Sequence, residues 1–208
     1  GRDTPGGAAT NDRGYITGGW DTWACDVQEF NPTNNTWTTK TDYRTGCSRD
    51  VGPVALSING TLYIGGGDTN GGTYYNGFYM FNADSNNWTA RANLPVTVGR
   101  ASVGFSIGDF GYIIDVATRV MYRFDPALNS WTVMADYPVG LSGPAKFVID
   151  GIAYVGVGGD NRVYTYNPDT NVWTLKTYFP GSVRSQVGSF MINGKGYVSQ
   201  AYPANVAD

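Results

Sequence analysis

Phe81-Asn82-Ala83-Asp84-Ser85-Asn86-Asn87-Trp88-Thr89 is one of four copies of a single pattern in this chain. The others are Phe30-Asn31-Pro32-Thr33-Asn34-Asn35-Thr36-Trp37-Thr38, Phe124-Asp125-Pro126-Ala127-Leu128-Asn129-Ser130-Trp131-Thr132 and Tyr166-Asn167-Pro168-Asp169-Thr170-Asn171-Val172-Trp173-Thr174. Each is an aromatic residue, six residues rich in turn formers, then Trp-Thr. Pro presets φ in such turns, while Asn and Asp hydrogen-bond their own backbone. The tryptophans stand 51, 43 and 42 residues apart. A second series runs through Tyr15, Tyr63, Tyr112, Tyr154 and Tyr197, spaced by 48, 49, 42 and 43 residues. Two marks drifting together at this period point to one supersecondary unit per repeat.

Each unit reads as four strands. Val54-Ala55-Leu56-Ser57-Ile58 is a first strand, and Asn59-Gly60 after it is a strong hairpin signal, matched by Asp150-Gly151 and Asn193-Gly194. The second strand carries the tyrosine and ends in glycines, as in Leu62-Tyr63-Ile64-Gly65-Gly66. A variable loop leads to a third strand such as Gly77-Phe78-Tyr79-Met80-Phe81. The turn quoted above then leads into a fourth, from Trp88.

Composition agrees with short strands and tight turns: 14% aromatic, 29 glycines in 208 residues and only 15% charged. The good helix formers Lys and Glu are scarce, at four and one. A net charge of −3 with no Lys/Arg run speaks against a nucleic-acid surface. No apolar run approaches the ~18–20 residues of a membrane-spanning helix. Starting at Gly1 without Met, the chain reads as a processed product or a fragment.

The glycines closing strand two, followed by an aromatic and a Trp with six residues between, resemble the kelch repeat. The likeness covers nearly the whole chain and departs at Ile113-Ile114-Asp115 and Gly156-Val157-Gly158, where a glycine pair is expected. It implies an all-β propeller of four-stranded antiparallel blades around a channel. The expected blades are residues 1–45, 46–97, 98–140 and 141–181, with a partial fifth at 182–208. Four and a half blades suggest part of a longer propeller, or a five-bladed ring with an incomplete last blade. Trp37, Trp88, Trp131 and Trp173, at one register position, are expected to pack between blades rather than to serve as platforms for a sugar.

The propeller geometry implied by the resemblance puts the strand-two-to-three loops and the blade-to-blade connections on one rim. Cys25 and Cys47 both fall there, which suggests a disulfide and an oxidising compartment. Arg2, Arg49, Arg100 and Arg184 recur before first strands. Arg100-Ala101-Ser102-Val103-Gly104 is similar to the Arg-Ser-Gly-x-Gly pattern with which some kelch domains grip acidic peptides. Blade four breaks that series with Ser142. Asp21, Asp68, Asp115 and Asp160 recur after second strands. They could pair with the arginines and hold turns, leave an anion-binding rim, or ligate calcium. The unequal loops offer Trp20 and Trp23 in blade one and Tyr74 and Tyr75 in blade two. Such residues suit protein or carbohydrate surfaces.

The chain has no histidine. That removes a Ser-His-Asp triad, a His-based zinc centre and the histidine ligands of kelch copper-radical oxidases. Glycoside hydrolysis needs two carboxylates with separated pKa values. The sixteen aspartates sit mostly in turns, and Glu29 is expected to face solvent. Asn34-Asn35-Thr36-Trp37 resembles the sialidase turn motif without its Asp and Gly spacing. The expectation is a non-enzymatic extracellular or cell-surface module, without cofactor, metal or nucleic acid, that binds a protein or glycan. The alternatives are a structural blade array in a surface appendage and a carboxylate-based glycan-active enzyme.

Overall fold

The computed structural model describes residues 5–19, 25–45, 47, 50–69, 72–99, 102–181 and 187–199. Every regular element among them is a strand. Blade one is β1 (Gly6–Ala9), β2 (Gly14–Thr17), β3 (Val27–Asn31) and β4 (Thr36–Lys40). Blade two is β5 (Val54–Ile58), β6 (Thr61–Gly65), β7 (Phe78–Asn82) and β8 (Asn87–Ala90). Blade three is β9 (Val103–Ile107), β10 (Phe110–Ile114), β11 (Met121–Asp125) and β12 (Ser130–Met134). Blade four is β13 (Ala145–Ile149), β14 (Ile152–Gly156), β15 (Arg162–Asn167) and β16 (Val172–Tyr178). A hairpin of β17 (Ser189–Ile192) and β18 (Lys195–Val198) follows. Each blade is an antiparallel meander in chain order. The innermost strands stand side by side, β1 against β5, β5 against β9, β9 against β13 and β13 against β17.

The inner strands of blades two and three are covered on both faces by neighbouring blades, so their side chains divide alternately between two interfaces. Leu62 and Ile64 of β6 join Tyr15 and Val27 in the blade-one/two core, while Tyr63 between them joins Ile113 and Phe124 in the blade-two/three core. A third core combines Phe105, Tyr112 and Tyr137 with Val155 and Tyr166. This double cover is why the second strands read as unbroken apolar runs.

The repeated pattern is one geometric unit made four times. Phe30 faces Trp37, Phe81 faces Trp88, Phe124 faces Trp131 and Tyr166 faces Trp173 across the third and fourth strands. The ring centroids lie 5.0, 4.8, 4.9 and 5.0 Å apart. In the turn, the side chains of Asn31, Asn82, Asp125 and Asn167 each accept from the backbone N–H two residues on, at 2.9–3.1 Å. Asn35, Asn86, Asn129 and Asn171 take positive φ values of 50–57°, a conformation Asn tolerates better than other side chains.

That asparagine and the tryptophan two residues on clamp the preceding blade. Trp131 Nε1 donates to the carbonyl of Ala92 at 2.9 Å, and the N–H of Ala92 donates to Asn129 Oδ1 at 2.9 Å. Trp173 and Asn171 hold Ala135 in the same way, at 3.1 and 2.9 Å. Trp88 Nε1 donates to the carbonyl of Thr41 at 2.8 Å, and the Thr41 hydroxyl donates to the Asn86 carbonyl at 2.6 Å. Trp37 has no such carbonyl to reach among the described residues, and 53% of it is exposed.

Candidate functional site

The rim is built from backbone before any side chain is added. Gly19 N–H donates to the Asp50 carbonyl at 2.8 Å, and Val51 and Asp68 exchange two hydrogen bonds at 2.9 and 3.0 Å. The connection from blade one to blade two is thereby stitched to a strand-two-to-three loop on each side. Gly67 has φ +86, and a Cβ there would run into the Asp50 carboxylate. Only glycine allows that approach. Blade four reaches the same left-handed backbone without glycine, at the buried Val157 with φ +62. A β-branched residue there is strained.

At the centre of the blade-one/two rim is Arg44. Its guanidinium carbon lies 3.4 Å from the centroid of the Tyr75 ring. Its Nη2 lies 2.8 Å from Cys47 Sγ and 3.7 Å from Cys25 Sγ. The two cysteines are joined in a disulfide with Cα atoms 5.9 Å apart. Burial lowers the pKa of Arg44, against the opposing pull of Tyr75 and Tyr79. Tyr75 N–H donates to the Gly67 carbonyl at 3.0 Å, and Tyr74 bridges to Asp68. Tyr74, the preceding residue in the chain, is 49% exposed, and its ring lies against Gly99 in the connection from blade two to blade three.

Beneath the stack is Asp50, fully buried, with neither carboxylate oxygen hydrogen-bonded among the described residues. Its Oδ2 is 4.0 Å from Arg44 Nη2, too far for a hydrogen bond. Burial first and the Asp68 charge second raise its pKa to about 8. Burial therefore favours the neutral carboxyl at pH 7, while the Arg44 guanidinium at 4.0 Å favours the charged one.

Of the residues singled out by sequence, Tyr75 comes together with Cys25 and Cys47 around Arg44, while Tyr74 turns to Gly99. Trp20, Trp23, Arg2, Arg49, Arg100, Arg184 and Asp21 lie outside the described residues. The remaining aspartates of the series serve locally. Asp115 accepts from Ala117 N, Thr118 N and the Thr118 hydroxyl, and Asp160 is held by Arg162, whose backbone N–H and guanidinium both donate to it. No group of three His, Cys, Asp or Glu side chains suited to a metal ion occurs among the described residues.

One expectation is corrected. Glu29 does not face solvent: it accepts from the Tyr15 hydroxyl at 2.8 Å and meets Lys40 Nζ at 3.0 Å, with its side chain 13% exposed. The reason is its register: Glu29 pairs with Tyr15 and so shares the face on which Tyr15 packs into the blade-one/two core. Arg44 and Asp50 escaped the sequence reading because neither belongs to a repeated series.

No protein-family model matches the chain. Kelch-like protein 35 of Mus musculus is 26% identical over 190 residues, which cover 88% of this chain and 32% of the relative. Kelch-like protein 25 of Xenopus tropicalis is 25% identical over 76% of this chain and 28% of its own length. Kelch-like protein 23 of Homo sapiens is 23% identical over 90% of this chain and 37% of its own. The chain thus spans about a third of the length of the curated relatives it matches. Among solved structures, the one described as "Structure of YjhT" aligns with a TM-score of 0.78 at 16% identity, covering 98% of this chain and 78% of that one. Sequence relatives, blade topology and the fourfold turn-and-tryptophan unit agree, and the chain is a kelch-repeat β-propeller.

Proposed function

We propose that this chain is a non-enzymatic binding module that engages a protein partner through the rim of blades one and two. The observation that carries this reading is the Arg44–Tyr75 stack, braced by the Cys25–Cys47 disulfide and followed along the rim by the half-exposed Tyr74 against Gly99. Tyr and Arg dominate the energetics of protein interfaces, and groups already held in place lose little entropy on binding. The similarity to Kelch-like proteins supports a binding role for the propeller. The disulfide favours an oxidising compartment, and so an extracellular or cell-surface setting.

A photoreactive benzoylphenylalanine at position 74 tests the rim, with position 133 on the exposed outer strand β12 as the control. A crosslink to a single protein from position 74, lost on Arg44→Ala or Tyr75→Ala, is the expected result. Crosslinks from position 133 alone would replace this reading with a structural blade array, which the exposed Val133, Val172 and Leu175 of the outer strands would suit. Glycan-array binding that depends on Tyr74 would replace it with a lectin, since an exposed tyrosine ring also stacks on sugars.

A further inference from the structure

The innermost strands enclose a space that the rim does not use. Ala55, Ser57, Gly104, Ser106, Lys146 and Val148 line an open cavity of about 240 Å³ between β5, β9 and β13, and residues of β1 border another side of it. The wall is made mostly of small and apolar residues, and Lys146 is its one ionisable group. The backbone of Lys146 is fixed, because its N–H donates to Ser189 Oγ at 2.8 Å and its carbonyl accepts from the same hydroxyl at 2.7 Å. No carboxylate pairs with its ammonium among the described residues.

Burial alone lowers the Lys146 pKa, to about 8, and no opposite charge raises it again. The group is still mostly an ammonium at neutral pH. Lys146 is partly buried, and a partly buried cation without a counter-charge is unfavourable, so an anion brought to it offsets part of that cost. A donor is also unused in the same wall: the Ser106 hydroxyl is buried and has no hydrogen-bond partner among the described residues. Because β1, β5, β9 and β13 each pair on one side only, their free edges add backbone N–H groups to the surroundings.

We propose that this cavity binds a small anion, a carboxylate or phosphate group, with the Lys146 ammonium as counter-charge and the Ser106 hydroxyl as hydrogen-bond donor. The space is below the ~300–1,000 Å³ of pockets that hold drug-sized ligands, so the ligand is small or is the tip of a larger one. The site is independent of the rim around Arg44.

The chain has four lysines, so their Cε–Hε resonances can be resolved and assigned by substitution. Sodium acetate and sodium phosphate, titrated separately at neutral pH and constant ionic strength, serve as the probes. A saturable shift of the Lys146 signal is expected, with a dissociation constant on the order of 1 mM, while Lys40, Lys176 and Lys195 stay still. Saturation by acetate alone assigns a carboxylate, and saturation by phosphate alone a phosphoryl group. Lys146→Met should abolish the anion-induced shifts of the neighbouring amides, Lys146→Arg should retain them, and Ser106→Ala should weaken binding severalfold. Shifts that rise linearly on all four lysines, or binding unchanged in Lys146→Met, overturn the proposal.

Discussion

Asp50 shows how one buried group shapes the behaviour of a rim. Its folded pKa of about 8 lies far above the ~3.9 of an unfolded aspartate. The native state therefore holds the proton over that interval, and the unfolded chain does not. The contribution of this group to stability is complete below about pH 4 and is lost as the pH rises through about 8. Asp50→Asn removes the titration while keeping the shape, and its amide can donate towards Asp68. Thermal melts should show the variant more stable than the parent by on the order of 5 kcal/mol near pH 8, with little difference near pH 4. A variant less stable at the higher pH would mean that the carboxylate is charged and paired. At this scale the sequence was least legible. The recurring aspartates could be found, but a carboxyl without a repeat partner, pressed against Gly67, leaves no periodic mark. Arg44 was hidden for the same reason.

The element that joins blades is the turn with its asparagine and tryptophan. Here the sequence was most legible, because the pattern is short, local and repeated in one chain. The tryptophans stood out by spacing. The asparagine two residues before each of them was equally regular, yet its role stayed hidden because it grips a neighbour's backbone, which carries no sequence signal. Trp131 sits against Phe78 and Phe124 and donates to Ala92, so Trp131→Ala should cost about 3–5 kcal/mol in chemical denaturation. Trp37→Ala removes a half-exposed ring without an interblade hydrogen bond and should cost about 1 kcal/mol or less. Equal losses at the two positions would contradict the clamp.

For the whole molecule, each interblade core is supplied by two successive blades, so stability is a sum of neighbour contacts, as in repeat arrays generally. The flank of blade one, carrying Asn35 and Trp37, has the same clamp geometry as its successors but holds nothing among the described residues. The apolar residues Phe190, Met191, Ile192 and Tyr197 of the β17–β18 hairpin are exposed at the other flank. The sequence made this arrangement visible through the count of four and a half units, but it could not show which rings would be left uncovered. The Cys25–Cys47 crosslink closes a separation of 22 residues within this array. Reduction should lower the unfolding free energy by about 3 kcal/mol and release Arg44 from its sulfur contacts. Both effects can be followed by calorimetry with and without reductant, and an unchanged melting temperature would show that the bridge does not brace the rim.

Solvent exchange of the indole N–H protons, read by NMR, tests the blade clamp most directly. Trp88, Trp131 and Trp173 should exchange slowly because each N–H is donated to the preceding blade, while Trp37 should exchange at close to the rate of a free indole. Four N–H groups exchanging at the same fast rate would contradict the clamp, and with it the side-by-side stacking of blades on which the rim depends.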